Sequence, residues 1–290
     1  MRVRALIALF AILGRLAARV PHTAAVRLCA VGGTLWYFSS PTARAAVIDN
    51  LRHILHRPPT SREVRAVFMC GALNYWDIFS LPYLSRAELL RLIEIQGLEN
   101  VDQALTNGHG AILVTCHLAS VSLVGQVLPA LGYRLSGLLE PIEPPELLDF
   151  FVAQREAFGA RLLPATPYAL RELVAALRRN EVLGLVTDRD INGTGPVIPF
   201  FGAPTTFADG PAALSVRTGA PILAAIARLR PDGRFDGIFE PPITIERSGD
   251  PKQDVLLLTR AVAERLEYHI ASHPQQWTVF QKRWPDAQSG

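Results

Sequence analysis

Apolar and polar positions along the chain change period near residue 93. Before it, apolar residues recur at helical spacing; after it, short continuous apolar runs alternate with helical stretches. The chain opens Met1-Arg2-Val3-Arg4, followed by the ten uncharged residues Ala5 to Gly14 and then Arg15 and Arg19. Ten residues are too few to span a bilayer as a helix, which needs ~20. No small-x-small site of the kind that ends a signal peptide stands out after them. A second apolar run, Ala24 to Phe38, ends in Trp36-Tyr37-Phe38. Two arrangements fit this pattern. One is a helix lying in a membrane interface, its arginines at lipid phosphates and its aromatic rings at headgroup level. The other is a helical hairpin packed on the rest of the fold.

From residue 40 to 95 the spacing predicts helices over Ala43–Leu55, from Ser61 to about Phe79, and over Arg86–Leu92 with Ser85 as cap. Strands are then predicted at Ile93–Ile95, Ala111–Thr115, Tyr133–Leu139, Arg161–Leu163, Val182–Thr187, Pro221–Ala227 and Phe235–Phe239. Between them run helices at Val121–Leu131, Pro145–Phe158 and Tyr168–Arg179, and Pro251–Ser272 forms a long last one. This alternation predicts an α/β fold, a central mostly parallel or mixed sheet flanked by helices. Residues 1–40 form a helical, membrane-associating N-terminal region, and residues 41–290 form the α/β domain.

Composition sharpens the membrane reading. Hydrophobic residues make up 49% and charged residues 19% of the 290, more apolar than an ordinary soluble domain. Of 29 basic residues only Lys252 and Lys282 are lysine; arginine grips phosphate bidentately. The net charge of +3 is too small and too dispersed for a nucleic-acid partner. Cys29, Cys70 and Cys116 lie far apart, which argues against both a disulfide framework and a zinc site.

Four segments can carry chemistry. The predicted strand Ala111–Thr115 delivers His117 to the start of a helix, near its positive end, with Ser120 or Ser122 as cap; that placement suits a general base. The segment Thr187-Asp188-Arg189-Asp190-Ile191-Asn192-Gly193 follows another buried strand, where α/β sheets bind ligands. There Arg189 could hold a phosphate or a thioester carbonyl, and Asp188 could orient it or His117. Gly210-Pro211 opens a helix whose first backbone N–H groups could bind an anion, and Gly219 ends it. Finally, Pro274 to Trp284 alternates aromatics with Lys282 and Arg283, a pattern that fits interface anchoring and docking onto the fold equally.

Together and in this order, these pieces resemble the bacterial lipid A biosynthesis late acyltransferase family. That family includes the phosphatidylinositol mannoside acyltransferases and is lysophospholipid acyltransferase-like. The resemblance rests on His117 at the end of a strand, Asp188-Arg189-Asp190, Pro199-Phe200-Phe201-Gly202, Gly210 to Pro221, Pro274 to Trp284 and the stretch Arg155 to Ala160. It implies transfer of a fatty acyl chain from acyl carrier protein or coenzyme A to a hydroxyl of a membrane glycolipid or lysophospholipid. The setting it implies is the cytoplasmic face of the inner membrane, with no metal and no cofactor beyond the thioester co-substrate. His117 would be the general base and Arg189 an oxyanion donor. Arg155, Asp190, Gly210 and Arg217 would contact substrate.

Two positions depart from the family pattern. Its motif places a carboxylate five residues after the histidine, where this chain has Ser122, and it often has arginine where this chain has Glu140. The expectation is that Glu140 or Asp188 takes over the orienting role. The alternative is a catalytically weakened relative that keeps the fold as a lipid-binding accessory protein. A soluble hydrolase is disfavoured, since no Gly-x-Ser-x-Gly elbow occurs.

Overall fold

A computed structural model describes residues 2–191 and 193–284. Of the candidate residues, Asn192 and the Arg2 side chain lie outside that description.

The N-terminal third is helical: α1 (Arg2–Ala17), α2 (His22–Ser39), α3 (Pro41–Leu55), α4 (Ser61–Ser80) and α5 (Arg86–Leu92). Two of these helices start at capping boxes. Thr60 and Glu63 satisfy each other's backbone N–H groups at α4, and Ser85 and Glu88 do so at α5. The α1–α2 hairpin packs on α4. Gly33 makes the close crossing possible: a Cβ there would stand 2.6 Å from the Met69 backbone nitrogen. On its outer face the hairpin leaves Leu9, Ile12, Leu16, Val31, Leu35 and Phe38 exposed. Packing on the fold and an apolar outer face therefore coexist. No helix among the described residues is long and apolar enough to cross a membrane.

A histidine ties the hairpin to the domain. His22, the first residue of α2, has Nδ1 2.7 Å from the Gly233 carbonyl and Nε2 3.0 Å from Asp77 Oδ1 of α4. Both ring nitrogens face acceptors, so both are served by protons. Burial disfavours the charged ring, but the Asp77 hydrogen bond and charge and the Gly233 carbonyl outweigh it and raise the His22 pKa above 6.5. The stability this contributes is complete below the unfolded value and is lost as pH rises through the folded one. Hydrogen exchange in the first turn of α2 is therefore expected to accelerate, beyond its intrinsic pH dependence, as pH rises above about 6.5. His22→Gln should abolish that excess; an unchanged excess would sink this account.

The remaining elements are β1 (Ile93–Gln96), α6 (Leu98–Leu105), β2 (Ala111–Thr115), α7 (Val121–Val124), α8 (Val127–Leu131), β3 (Leu135–Leu139), α9 (Pro145–Arg155), β4 (Arg161–Pro164), α10 (Pro167–Arg178), β5 (Val182–Val186), β6 (Val197–Phe200), β7 (Ala203–Thr206), α11 (Gly210–Thr218), β8 (Ile222–Leu229), β9 (Phe235–Ile243) and α12 (Pro251–Ser272). Seven strands form one sheet in the order β1-β9-β8-β2-β5-β3-β4. Its pairings are parallel except β8 with β9, so the mostly parallel expectation holds. Alternating residues of the central strands feed two cores. Ile112, Val114, Leu183 and Leu185 pack with Val47, Leu51, Val262 and Leu266 on one face; Leu113, Val182 and Leu223 pack with Leu89, Val101 and Val127 on the other. Buried on both faces, β2 and β5 are rigid posts for whatever follows them.

Two local expectations differ from what is seen. The helix expected over Val121–Leu131 is broken into α7 and α8. Pro129 lacks an N–H and its ring would crowd the carbonyl of residue 125, so the helix restarts with Pro129 in its first turn. The β6–β7 hairpin was not among the predicted strands, and it holds two residues ordinarily found only at sheet edges, Pro199 and Pro204. Both prolines sit in a two-stranded ribbon, and the turn residues Phe201 and Gly202 take the positive φ values of 51° and 76° that a two-residue hairpin turn prefers.

Candidate active site

The site follows from register. β2 pairs with β5 from Ala111↔Val182 to Thr115↔Val186, so two residues beyond each strand His117 stands opposite Asp188. Both lie at the carboxyl edge of parallel strands, where α/β folds form crevices. His117 Nδ1 is 2.8 Å from Asp188 Oδ1. Asp188 Oδ2 accepts the His117 backbone N–H at 2.9 Å and the Trp277 indole N–H at 2.7 Å. The carboxyl group is fully buried, while the His117 side chain is 31% exposed. Burial alone would raise the Asp188 pKa; the His117 charge and hydrogen bonds, with the indole, outweigh it and hold the group below the usual carboxylate range. An ionised Asp188 requires Nδ1 to donate, which leaves Nε2 as the basic nitrogen of the partly exposed ring.

The C-terminal segment locks this pair. Thr278 donates to the His117 carbonyl through its backbone N–H (2.7 Å) and its hydroxyl (3.0 Å). Leu118 pairs with Trp277, and the Ala119 N–H reaches the Gln276 carbonyl at 2.8 Å. Ala119 itself has φ of 48°, a conformation costing a non-glycine residue on the order of 1 kcal/mol. That turn aims the chain away from His117 after a straight strand. Arg283 donates Nε–H to the Asp188 carbonyl at 2.7 Å. Of the two uses the pattern of this tail allowed, docking onto the fold is the one observed. Trp277 and Arg283 were therefore missed as site residues; the signal was a tryptophan whose N–H needs an acceptor once buried.

The other expected site residues are dispersed. Glu140, just past β3, pairs with Arg189 at 3.2 Å and not with His117, so of the two proposed replacements for the motif acid it is Asp188 that reaches the ring. Neither serine caps α7: the Ser120 hydroxyl has no partner, and Ser122 Oγ accepts Arg155 Nε–H at 3.3 Å. The four-residue α7 is also too short to offer the helix end expected beside His117. Asp190 is committed to its own loop, accepting the Gly193 and Gly195 N–H groups at 3.1 and 2.9 Å. Gly210 begins α11 as expected, and Gly219 ends it with φ of 78°. Arg217 lines a cavity of about 530 Å³ between α11 and α12 with Asp209 and Lys252. Cys116 is buried, and burial pushes its thiol pKa up, consistent with a small hydrophobe beside the site. No group of three or more His, Cys, Asp or Glu stands together to hold a metal among the described residues.

A buried carboxylate hydrogen-bonded to a partly exposed histidine is an arrangement able to move a proton. The family model described as bacterial lipid A biosynthesis acyltransferase matches residues 1–286. The chain belongs to that family. It is 32% identical over 260 residues to the phosphatidylinositol mannoside acyltransferase of Mycobacterium tuberculosis (strain CDC 1551 / Oshkosh), covering 86% of this chain and 79% of that protein. The protein of the same name from Mycolicibacterium smegmatis is 28% identical over 81% of this chain and 77% of its own length. A lipid A biosynthesis acyltransferase of Haemophilus influenzae is 23% identical over 73% of this chain and 65% of its own. Within the lipid A acyltransferase family, then, this member meets His117 with an acid that follows β5, while Ser122 stands five residues beyond the histidine.

Proposed function

We propose that the protein transfers a fatty acyl chain from an acyl thioester, on acyl carrier protein or coenzyme A, to a hydroxyl of a membrane glycolipid or lysophospholipid. The observation that carries this reading is the His117–Asp188 pair, held at 2.8 Å through Nδ1 on a histidine side chain that is partly exposed. In the reaction Nε2 takes the proton of the acceptor hydroxyl as its oxygen attacks the thioester carbonyl. Asp188 stabilises the resulting imidazolium. The tetrahedral intermediate collapses to the ester, and the departing thiolate receives the proton back from Nε2. Arg189, tethered by one nitrogen to Glu140, keeps further N–H groups for the developing oxyanion.

Higher identity to relatives named for phosphatidylinositol mannoside than to one named for lipid A favours an inositol-phosphate glycolipid as acceptor. The exposed apolar face of α1 and α2, with Arg4, Arg19 and Arg27 also exposed, is the surface we assign to the membrane. Both donors are polar thioesters of the cytoplasm, so the reading places the protein on the cytoplasmic face of the inner membrane. The alternative is a lipid-binding accessory protein, motivated by Ser122; the Asp188 contact with His117 supplies a charge that serine lacks and supports the catalytic reading over it.

The test is an acyl-transfer assay with acyl carrier protein and coenzyme A thioesters and vesicles carrying mannosylated phosphatidylinositol, lipid A precursor or lysophospholipid. His117→Ala should reduce transfer by at least roughly 10²–10⁴-fold. Transfer that survives this change would refute the mechanism. Failure of every donor, with vesicle binding intact, would favour the accessory role.

A further inference from the structure

We propose that Arg155 is the anchor of a binding site for a substrate phosphodiester, opened by the serine at position 122. The proposal rests on the acyl-transfer reading only for what the phosphodiester belongs to. Arg155 is the last residue of α9 and is half-buried. Its Nε–H reaches Ser122 Oγ at 3.3 Å and Nη1 reaches the Phe151 carbonyl at 3.5 Å, with the guanidinium 5.4 Å from the Phe151 ring centre. Both hydrogen bonds are long, and three of the five guanidinium N–H donors remain uncommitted. Among the described residues no carboxylate pairs with it, whereas Arg161, Arg179, Arg189, Arg228 and Arg230 each find one. Burial lowers its pKa to about 10, with Tyr75 opposing. A cation in that position lacks the partner that a buried charge ordinarily has.

Its surroundings describe the missing ligand. Ser122 lies five residues beyond His117, so the guanidinium stands next to the helix that follows the base. Phe151, the ring beside the guanidinium, lies against Phe79 of α4 and Phe150 of α9, and Phe10 of α1 meets both of those rings, joining α9 to the hairpin whose outer face is apolar. A lipid with its chains toward that hairpin and its reacting end at His117 would carry its phosphate past Arg155. The uncommitted guanidinium N–H groups, with no carboxylate to meet them among the described residues, call for the anionic oxygens of a phosphodiester. The headgroup of an inositol phospholipid has this chemistry, and so does the phosphopantetheine arm of a thioester donor. In a chain with an acid at 122, that carboxylate would occupy the guanidinium.

Calorimetric titration of the detergent-solubilised full chain with glycerophosphoinositol and with phosphopantetheine separates the two sources. Wild type is expected to bind one of them. Arg155→Gln should weaken that binding on the order of 10- to 100-fold, the scale of a charge-assisted bidentate contact. Ser122→Asp, which hands the guanidinium an acid, should weaken it comparably while leaving the melting temperature unchanged or higher. Binding to the lipid headgroup assigns the site to the acceptor, and binding to phosphopantetheine assigns it to the donor. The proposal is overturned if wild type binds neither probe, or if both variants bind as wild type does. It is also overturned if Arg155→Gln melts well below wild type with affinity retained, the mark of a structural role. None of these readouts requires turnover, so they stand or fall independently of the His117→Ala result.

Discussion

Asp188→Asn is expected to lower kcat for acyl transfer about 10⁴-fold with little change in KM, as an acid-to-amide change does in the triad template. Geometry dictates why. Asp188 Oδ2 accepts two N–H groups, from His117 and the Trp277 indole. An asparagine must put its carbonyl oxygen there, because its NH₂ would clash with both donors. The NH₂ then points at His117 Nδ1, which is forced to accept, and the ring proton moves to Nε2. That nitrogen is then no longer the base. The fold should survive, since three of the four polar contacts at this residue persist, including the Arg283 bond to its carbonyl. Glu140→Gln and Ser122→Ala leave the His117 ring bond untouched and should each cost far less than Asp188→Asn. Steady-state kinetics on the three purified variants, each checked by thermal melting, decides the matter. If Asp188→Asn keeps more than about a tenth of wild-type kcat, or Ser122→Ala is the most damaging of the three, Asp188 is not the residue that orients the base.

Much of this was legible in the chain. His117 and Asp188 each follow a continuous apolar run by two positions beyond its end, at Thr115 and Val186. Such runs announce strands buried on both faces, and residues just past them announce the edge where ligands bind. The pattern did not show that β5 lies beside β2, with β3 displaced one strand outward. Strand order is decided by packing between residues far apart in sequence, and local periodicity carries no record of it. Glu140 and Asp188 were therefore equal candidates until the register distinguished them. The same limit applies to Ser122: a serine near a helix start reads as a cap, and only the placement of α9 shows that it meets Arg155. The apolar hairpin was legible as helices. Its double character, one face on α4 and one face outward, was posed as a choice because helical spacing alone cannot say which neighbour covers which stripe.

The second large effect is expected at Arg283. Arg283→Met should destabilise the fold by about 3–5 kcal/mol and take transfer activity with it. The guanidinium is buried, and burial lowers its pKa against the pull of Asp188. It donates to the Asp188 carbonyl at 2.7 Å, to the Thr205 hydroxyl and to the Thr206 carbonyl, and it lies over the Phe200 and Phe207 rings. Methionine fills part of the volume but leaves three acceptors without donors, at roughly 1 kcal/mol or more each. Lysine should not rescue: a single ammonium cannot serve three acceptors spread over β7 and the Asp188 loop from the guanidinium plane. Asn50 of α3 fixes the same segment from below, accepting the Arg283 N–H at 2.9 Å and donating to the Val279 and Gln281 carbonyls. The residues that hold Arg283 thus also hold Trp277 and Thr278 against Asp188 and His117. Urea unfolding and transfer assays on Arg283→Met should fall together, and more steeply than on Arg189→Met, whose cation pairs with a partly exposed Glu140. A loss below about 1 kcal/mol with kcat intact would mean that the tail covers the site without supporting it.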